Sequence, residues 1–260
     1  MDKVTPTEAV QTPGWSDADL RDPHGNAEKA GKVRAMFGAI AGSYDLNNRL
    51  HSLGLDQAWR RRAVREAAVR PGNVVVDVAC GTGDLTEQFA RTEASRVIGV
   101  DFTPQMLEIA KSKLARRDVR VKERVSYIEG DAQALPFDDA SADVVSIAFG
   151  IRNVTDPAKA IAEFARILKP GGRLVILEFG RPRMGLARWL NGVYCARVMP
   201  RTATLISGDR TGAYKYLPRS VGTFMDPATL RGMIEGAGFG EVTSRDLTFG
   251  ICVCYRAVKR

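Results

Sequence analysis

A run of branched apolar residues at 73–78 (NVVVDV) passes without a break into Ala79, Cys80, Gly81, Thr82, Gly83 and Asp84. A run with no polar alternation predicts a strand buried on both faces, which belongs in a parallel sheet covered by helices on either side. Glycines at 81 and 83 let the backbone turn sharply with no Cβ in the way. A helical pattern at 85–91 follows the turn. Strand, glycine turn and helix in that order place a ligand over the carboxyl edge of a sheet, beside a helix N-terminus.

The rest of the chain repeats the rhythm. Residues 96–101 (RVIGVD), 124–129 (RVSYIE), 143–149 (DVVSIAF) and 173–179 (RLVILEF) read as further strands. Thr103 and Pro104 open a helix as N-cap and first helical residue. Another helix spans 157–168 and is closed by Lys169, Pro170, Gly171 and Gly172. Strands at 241–247 and 249–257 are separated only by about Thr248, so they must pair as an antiparallel hairpin. The predicted fold is α/β: a doubly wound, mostly parallel seven-stranded sheet, Rossmann-like, with an antiparallel last strand. Before it, Val33, Phe37, Ile40, Tyr44, Leu53, Trp59 and Val64 recur at helical spacing, which suggests two or three short helices ended by Pro71 and Gly72. Residues 1–31 show no apolar periodicity and read as a flexible tail; 32–260 form one domain, with 181–219 inserted as a helical cap on the substrate side.

Charge is uneven. Positive charge concentrates in 32–70, with eight Lys/Arg against three Asp/Glu, and in 181–219, with eight against one; 1–31 is acidic, 71–180 is close to neutral, and the whole chain nets +8. Such patches attract anionic partners or simply keep a surface solvated. Four scattered cysteines (Cys80, Cys195, Cys252, Cys254) are too few for a disulfide framework and read as buried thiols in a reducing compartment. No apolar run approaches the ~20 residues that cross a bilayer, and the N-terminal residues resemble neither a signal nor a transit peptide. A cytoplasmic protein is expected.

Two ligand classes compete for the glycine turn. A dinucleotide asks for G-x-G-x-x-G, but Thr86 occupies the third glycine position, and Asp84 opposes a pyrophosphate. A carboxylate there suits the cationic amino group of S-adenosylmethionine. Asp101 lies 20 residues past Gly81 at a strand end, where it can accept from a ribose diol. Asp131 can accept from the adenine amino group while the NH of Ala132 faces a ring nitrogen, and Phe102 can cover the adenine. The candidate cofactor residues are Asp77, Gly81, Thr82, Gly83, Asp101, Phe102, Asp131 and Ala132. A nicotinamide dehydrogenase is disfavoured by the missing glycine.

The constellation resembles the class I S-adenosylmethionine methyltransferases. Three further blocks narrow the resemblance to the ubiquinone/menaquinone biosynthesis C-methyltransferases: residues 36–48 (MFGAIAGSYDLNN) with Ser52-Leu53-Gly54-Leu55 and Trp59-Arg60-Arg61, then 149–154 (FGIRNV), then 214–221 (YKYLPRSV). It covers roughly 33–258. Asp56 stands where that family often has His, and Met225 where Pro is usual. The resemblance implies cofactor binding through Thr82, Asp101, Asp131 and Ala132, and methylation of the ring of a demethylated isoprenoid quinol. Arg152 and Asn153, just past a strand end, are then the candidates for binding the quinol oxygens, with Arg152 as catalytic group. Tyr44, Asp45 and His51 are secondary candidates for closing the site. A nucleic-acid amino methyltransferase would show N/D-P-P-Y/F after that strand, where Phe149-Gly150-Ile151-Arg152 stands instead, so no nucleic-acid partner is expected. No metal is called for. Residues 186–199 mix apolar positions at helical spacing with Arg188 and Arg197. They read either as a basic amphipathic helix that docks on a membrane or as a cap over the active site.

Overall fold

In the computed structural model, residues 14–182, 184–209 and 211–260 are described. The sheet has seven strands in the order β3-β2-β1-β4-β5-β7-β6. They are β1 (Val74–Val78), β2 (Arg96–Asp101), β3 (Val125–Glu129), β4 (Ala142–Ala148), β5 (Leu168–Phe179), β6 (Phe239–Leu247) and β7 (Cys252–Lys259). β1 through β5 pair in parallel, and β7 runs antiparallel to both β5 and β6. The predicted class and the closing hairpin are both present. β5 begins earlier than expected, at Leu168, so the Lys169–Gly172 turn falls inside a strand whose register against β4 shifts between Ala142 and Val144.

Helices cover both faces. α1 (Lys29–His51) and α2 (Leu55–Ala67) precede the sheet; α3 (Asp84–Phe89), α4 (Pro104–Ala115), α5 (Val119–Arg124) and α6 (Pro157–Ile167) are crossovers or parts of them. α7 (Gly185–Val193), α8 (Met199–Ser207) and α9 (Ala213–Thr223) form the insertion, and α10 (Pro227–Gly236) leads back to β6. Successive residues of β1 divide between the two faces, as a pleat demands. Val75 packs with Trp59 of α2, Phe89 of α3 and Leu107 of α4. Val76 and Val78 pack with Phe164 of α6 and Ile234 of α10. Cys252 and Cys254 are buried on one face, and all four cysteines are free thiols.

Two expectations about the N-terminal part need correction. The helical spacing after Lys32 belongs to two helices, within the expected two or three, but the first is 23 residues long and not short, and the second has 13. Gly38 and Gly42 sit inside α1, where tertiary packing outweighs their low propensity. Residues 14–28, assigned to a flexible tail, are packed. Trp15 is 5% exposed, stacks on Tyr216 at 4.2 Å, and its backbone NH donates to Thr211 O at 2.9 Å. An aromatic side chain can bury enough area to order a segment that lacks periodicity. The remainder of the assigned tail, 1–13, lies outside the described residues. Trp15, Val33, Met36, Ile40, Ala203, Tyr214 and Tyr216 make a third apolar cluster, which joins α1 to α8 and α9. Among the described residues, no helix is long and apolar enough to cross a membrane.

Candidate active site

Neighbouring crossovers leave β1 and β4 towards opposite sides, which opens a crevice at their carboxyl ends. The backbone there is strained on both strands. Ala79, after β1, has φ 51°, and Phe149, after β4, has φ 59°. Left-handed conformations at residues with a Cβ cost on the order of 1–3 kcal/mol each and persist where the surroundings over-determine them. Between them, a Cβ on Gly150 would lie 2.6 Å from that of Ala79, so only glycine lets the two loops meet. The crevice is lined by Val33, Phe37 and Tyr44 of α1 together with Gly81, Asp101, Phe102, Asp131, Ala132 and Asn153. A small side pocket shares Tyr44, Ala79, Gly81 and Ala148 with it and adds Arg60, Asp77 and Thr82.

The two turn glycines do different work. Gly81 (φ 56°) faces open space: a Cβ there would meet only the Tyr44 ring, at 3.9 Å, so a ligand can approach the backbone closely. Gly83 (φ 84°) faces protein: a Cβ would lie 2.2 Å from Tyr127 Oη, so this glycine lets α3 approach the sheet and does not line the crevice. Asp101 accepts from Gly81 NH at 2.8 Å and Thr103 NH at 2.9 Å, one to each oxygen. Burial raises its pKa although those donors favour the ionised form, and each oxygen keeps a lone pair for a diol. Thr103 makes no side-chain cap on α4. Asp131 is exposed, accepts from Gln133 NH at 2.9 Å, and borders the crevice with the buried Ala132.

Asp77 is buried and accepts from Thr86 Oγ1 at 2.6 Å and Ser146 Oγ at 2.7 Å. Burial pushes its carboxyl up to about 6 against the pull of those hydroxyls. Asp84 is the carboxylate that the sequence offers to the ligand's ammonium, and its surroundings correct that assignment. It lines neither cavity and accepts from Lys113 Nζ at 2.6 Å and Arg49 Nη2 at 2.7 Å. Burial opposes ionisation there, but Lys113, Arg60 and Arg49 outweigh it and hold the carboxyl at about 2. Lys113 also reaches Asp45 at 2.8 Å, and Asp45 accepts from Thr82 Oγ1 at 2.5 Å. Arg49 further pairs with Asp56. This chain of charges ties α1, α2 and α4 to the glycine turn.

Arg152 is buried behind the crevice wall and not part of it. It is 2% exposed, absent from the crevice wall, and donates to Glu178 at 2.6 Å, Phe149 O at 2.7 Å and Ser220 Oγ at 3.3 Å. A guanidinium stays charged in an interior, so it must be paired there. Asn153 does line the crevice; its Oδ1 accepts from Tyr216 OH at 2.9 Å and its Nδ2 donates to Phe149 O at 3.2 Å. Of the secondary candidates, Tyr44 lines both cavities, Asp45 serves the charge chain, and His51 faces Tyr194 OH at 2.7 Å. Sequence reasoning passed over Arg60, whose signal was its place on the Asp56–Ala63–Ala67 stripe, all buried at helical spacing. Among the described residues, no His/Cys/Asp/Glu cluster could hold a metal ion.

Solved structures share this architecture. A possible histamine N-methyltransferase from Thermotoga maritima, described as a SAM-dependent methyltransferase, aligns with TM-score 0.61 at 22% identity, over 88% of this chain and all of that one. The complex of the Haloferax volcanii Trm112 methyltransferase activator with a methyltransferase aligns with TM-score 0.62 at 20% identity, over 85% and 96%. The fold is thus that of the class I S-adenosylmethionine-dependent methyltransferases. More specifically, residues 25–259 match the ubiE/COQ5 methyltransferase family, and the chain belongs to it. The demethylmenaquinone methyltransferase of Deinococcus radiodurans is 43% identical over 94% of this chain and 99% of its own length. The ubiquinone/menaquinone biosynthesis C-methyltransferase UbiE of a Geobacter species is 43% identical over 90% and 98%.

Two outcomes test the geometry. Arg152→Ala leaves Glu178 buried without its cation and lowers unfolding free energy by about 3–5 kcal/mol, whereas Arg152→Met with Glu178→Leu recovers most of that loss in chemical denaturation. For Asp77 the pKa of the free folded protein lies above the ordinary carboxyl value, so protons compete with a cationic ligand as pH falls through about 6. Calorimetric affinity for S-adenosylhomocysteine therefore declines below pH 6, and Asp77→Asn flattens that decline, with any residual slope belonging to Asp101.

Proposed function

We propose that the chain transfers a methyl group from S-adenosylmethionine to a ring carbon of a demethylated isoprenoid quinol, demethylmenaquinol foremost, with the ubiquinol precursor as the second substrate to test. The observation that carries this reading is the division of the crevice. Its carboxyl-edge side presents Gly81, Asp101, Asp131 and Ala132, and its α1 side presents Val33, Phe37 and Tyr44, an apolar wall fit for a ring and the start of a tail. The residues fit the nucleoside independently of any bound molecule: Gly81 leaves open space, Asp101 keeps free lone pairs, and the side pocket contains buried polar groups.

When bound, the sulfonium nucleoside supplies an electrophilic methyl group. Asp101 holds the ribose diol, Asp131 and Ala132 meet the adenine edge, Phe102 covers its face, and Asp77 with Thr82 borders the amino-acid end. Phe37 and Tyr44 exclude water above the reacting atoms, which strengthens alignment and prevents hydrolysis. Asn153 lies against the quinol ring, gripped by Tyr216 and by Phe149 O. Arg152 acts through it: by pairing with Glu178 and Phe149 O it sets the turn Ile151–Asn153 after β4. In this reading Arg152 has a positioning role, and of the two residues expected to bind the quinol oxygens Asn153 makes the contact.

The insertion places apolar side chains in water beside cations. Trp189 and Leu205 are 63% and 86% exposed, Leu53 at the end of α1 is 85% exposed, and Arg188, Arg197 and Arg201 are exposed as well. His51 and Tyr194 link the α1 end to this region. Residues 186–199 are two pieces, α7 and a π-helical turn at Tyr194–Val198. We assign this face to peripheral contact with an anionic membrane, from which the quinol's tail is admitted.

Mass spectrometry of the quinone pool in cells lacking the protein tests the chemistry: a demethylated quinone accumulates, and an unchanged pool removes the reading. For the membrane contact, vesicles containing anionic lipid sediment the protein at low salt and release it as salt rises. Protein that stays in the supernatant with every vesicle composition rules the contact out.

A further inference from the structure

Residues 14–28 run over α9 and reach the quinol side of the crevice through it. Trp15 is buried there, and its ring stacks on that of Tyr216, with centroids 4.2 Å and planes 24° apart. The backbones touch as well. Trp15 NH donates to Thr211 O at 2.9 Å, and a Cβ on Gly212 would lie 3.1 Å from Trp15 O, so the glycine before α9 lets the segment come this close. Further along the helix, Arg219 Nε donates to Leu20 O at 2.8 Å, and His24 Nε2 lies 3.0 Å from Ser220 O.

Tyr216 is fully buried and carries the contact inwards. Its hydroxyl donates to Asn153 Oδ1 at 2.9 Å, and Asn153 Nδ2 donates to Phe149 O at 3.2 Å. A carbonyl oxygen can only accept, so this donor and this acceptor permit one orientation of the amide. The second N–H of Nδ2 is then left for a ligand in the crevice that Asn153 lines. An N–H aimed at a ring oxygen stabilises the phenolate, the form whose ortho carbon attacks a methyl group. The reverse orientation would present a carbonyl and repel that oxygen. By itself α9 is weakened next to Tyr216: Pro218 lies inside it and has no N–H to give the turn before it. A slide of about 1 Å by the phenol ring would break its hydrogen bond, and the stacked indole blocks that slide.

We propose that Trp15 is a positioning residue for the methyl transfer: its stack on Tyr216 fixes the Asn153 amide with an N–H towards the substrate oxygen. The amino-terminal segment thereby tunes the reaction without touching either substrate. This role rests on the reading that Asn153 meets the quinol. Gly81, Asp101 and Asp131 are held by other contacts, so the consequences fall on the quinol and spare the donor.

Steady-state kinetics with S-adenosylmethionine and a short-tailed demethylmenaquinol, paired with calorimetry of S-adenosylhomocysteine, test the relay. Trp15→Ala lowers kcat/KM for the quinol by about tenfold, the size expected from losing one hydrogen bond. Donor affinity stays within about twofold. Tyr216→Phe keeps the stacked ring, removes only the hydroxyl, and gives the same loss. Trp15→Phe keeps a ring on Tyr216 and recovers most of the rate. Added to Tyr216→Phe, Trp15→Ala costs less than about twofold more, because the two act through one contact. Losses that multiply, an equal fall in donor affinity, or full activity in Trp15→Ala or Tyr216→Phe overturns the positioning role. An unaltered protein that leaves the quinol unmethylated overturns the substrate reading instead, a failure visible before any variant is made.

Discussion

Ionised groups placed in an interior that solvates them poorly govern the architecture of this site. Asp77, Asp101, Arg60 and Arg152 are all buried, and they gather where β1, β2 and β4 end. Each must find a partner or remain costly. Asp101 is met by two backbone NH groups, which also fix the glycine turn. Arg152 is met by Glu178, which fixes the turn after β4. Asp77 is met by the hydroxyls of Thr86 and Ser146, and Arg60 has no hydrogen-bond partner for its Nε or Nη1 among the described residues. The same physics thus yields rigidity wherever the protein supplies the counter-charge, as it does for Arg152.

The second requirement is a roof. A sheet edge open to water would weaken every electrostatic contact with a bound nucleoside. α1 supplies Phe37 and Tyr44 as the cover, and it is clamped from two sides. On one side the apolar cluster of Trp15, Met36, Tyr214 and Tyr216 joins it to the insertion. On the other, Lys113 and Arg49 link Asp45, Asp84 and Asp56, so that the roof, α4 and the glycine turn share one charge network. Asp84 belongs to this clamp. A carboxylate next to the turn glycine suggests a ligand contact when only neighbours in sequence are visible, but two cations from distant helices claim it in the fold.

The sheet was legible because its signal is local. Strands buried on both faces read as unbroken apolar runs, and the pleat then divides Val75 from Val76 and Val78 without further information. Gly81, Asp101, Phe102, Asp131 and Ala132 were legible for a related reason: strand ends in a doubly wound sheet all open on one edge, so order along the chain implies proximity in space. Trp15 was not legible, since a lone aromatic residue has no periodicity, and its partners Tyr216 and Thr211 lie about two hundred positions away.

The amino-acid sequence alone determined the fold class, the family and most of the residues that line the crevice, because each depends on periodicity, motif or spacing within a single strand-turn unit. Only the tertiary structure decided which charges are spent inside the protein. Arg152 and Arg60 look alike in sequence, each beside a motif and each followed by helical structure. Glu178 comes from a neighbouring strand to meet one, and no described side chain accepts from the Nε or Nη1 of the other. Counter-ions are assigned by distances across the fold, and a Coulombic partner many residues away leaves no trace in local pattern.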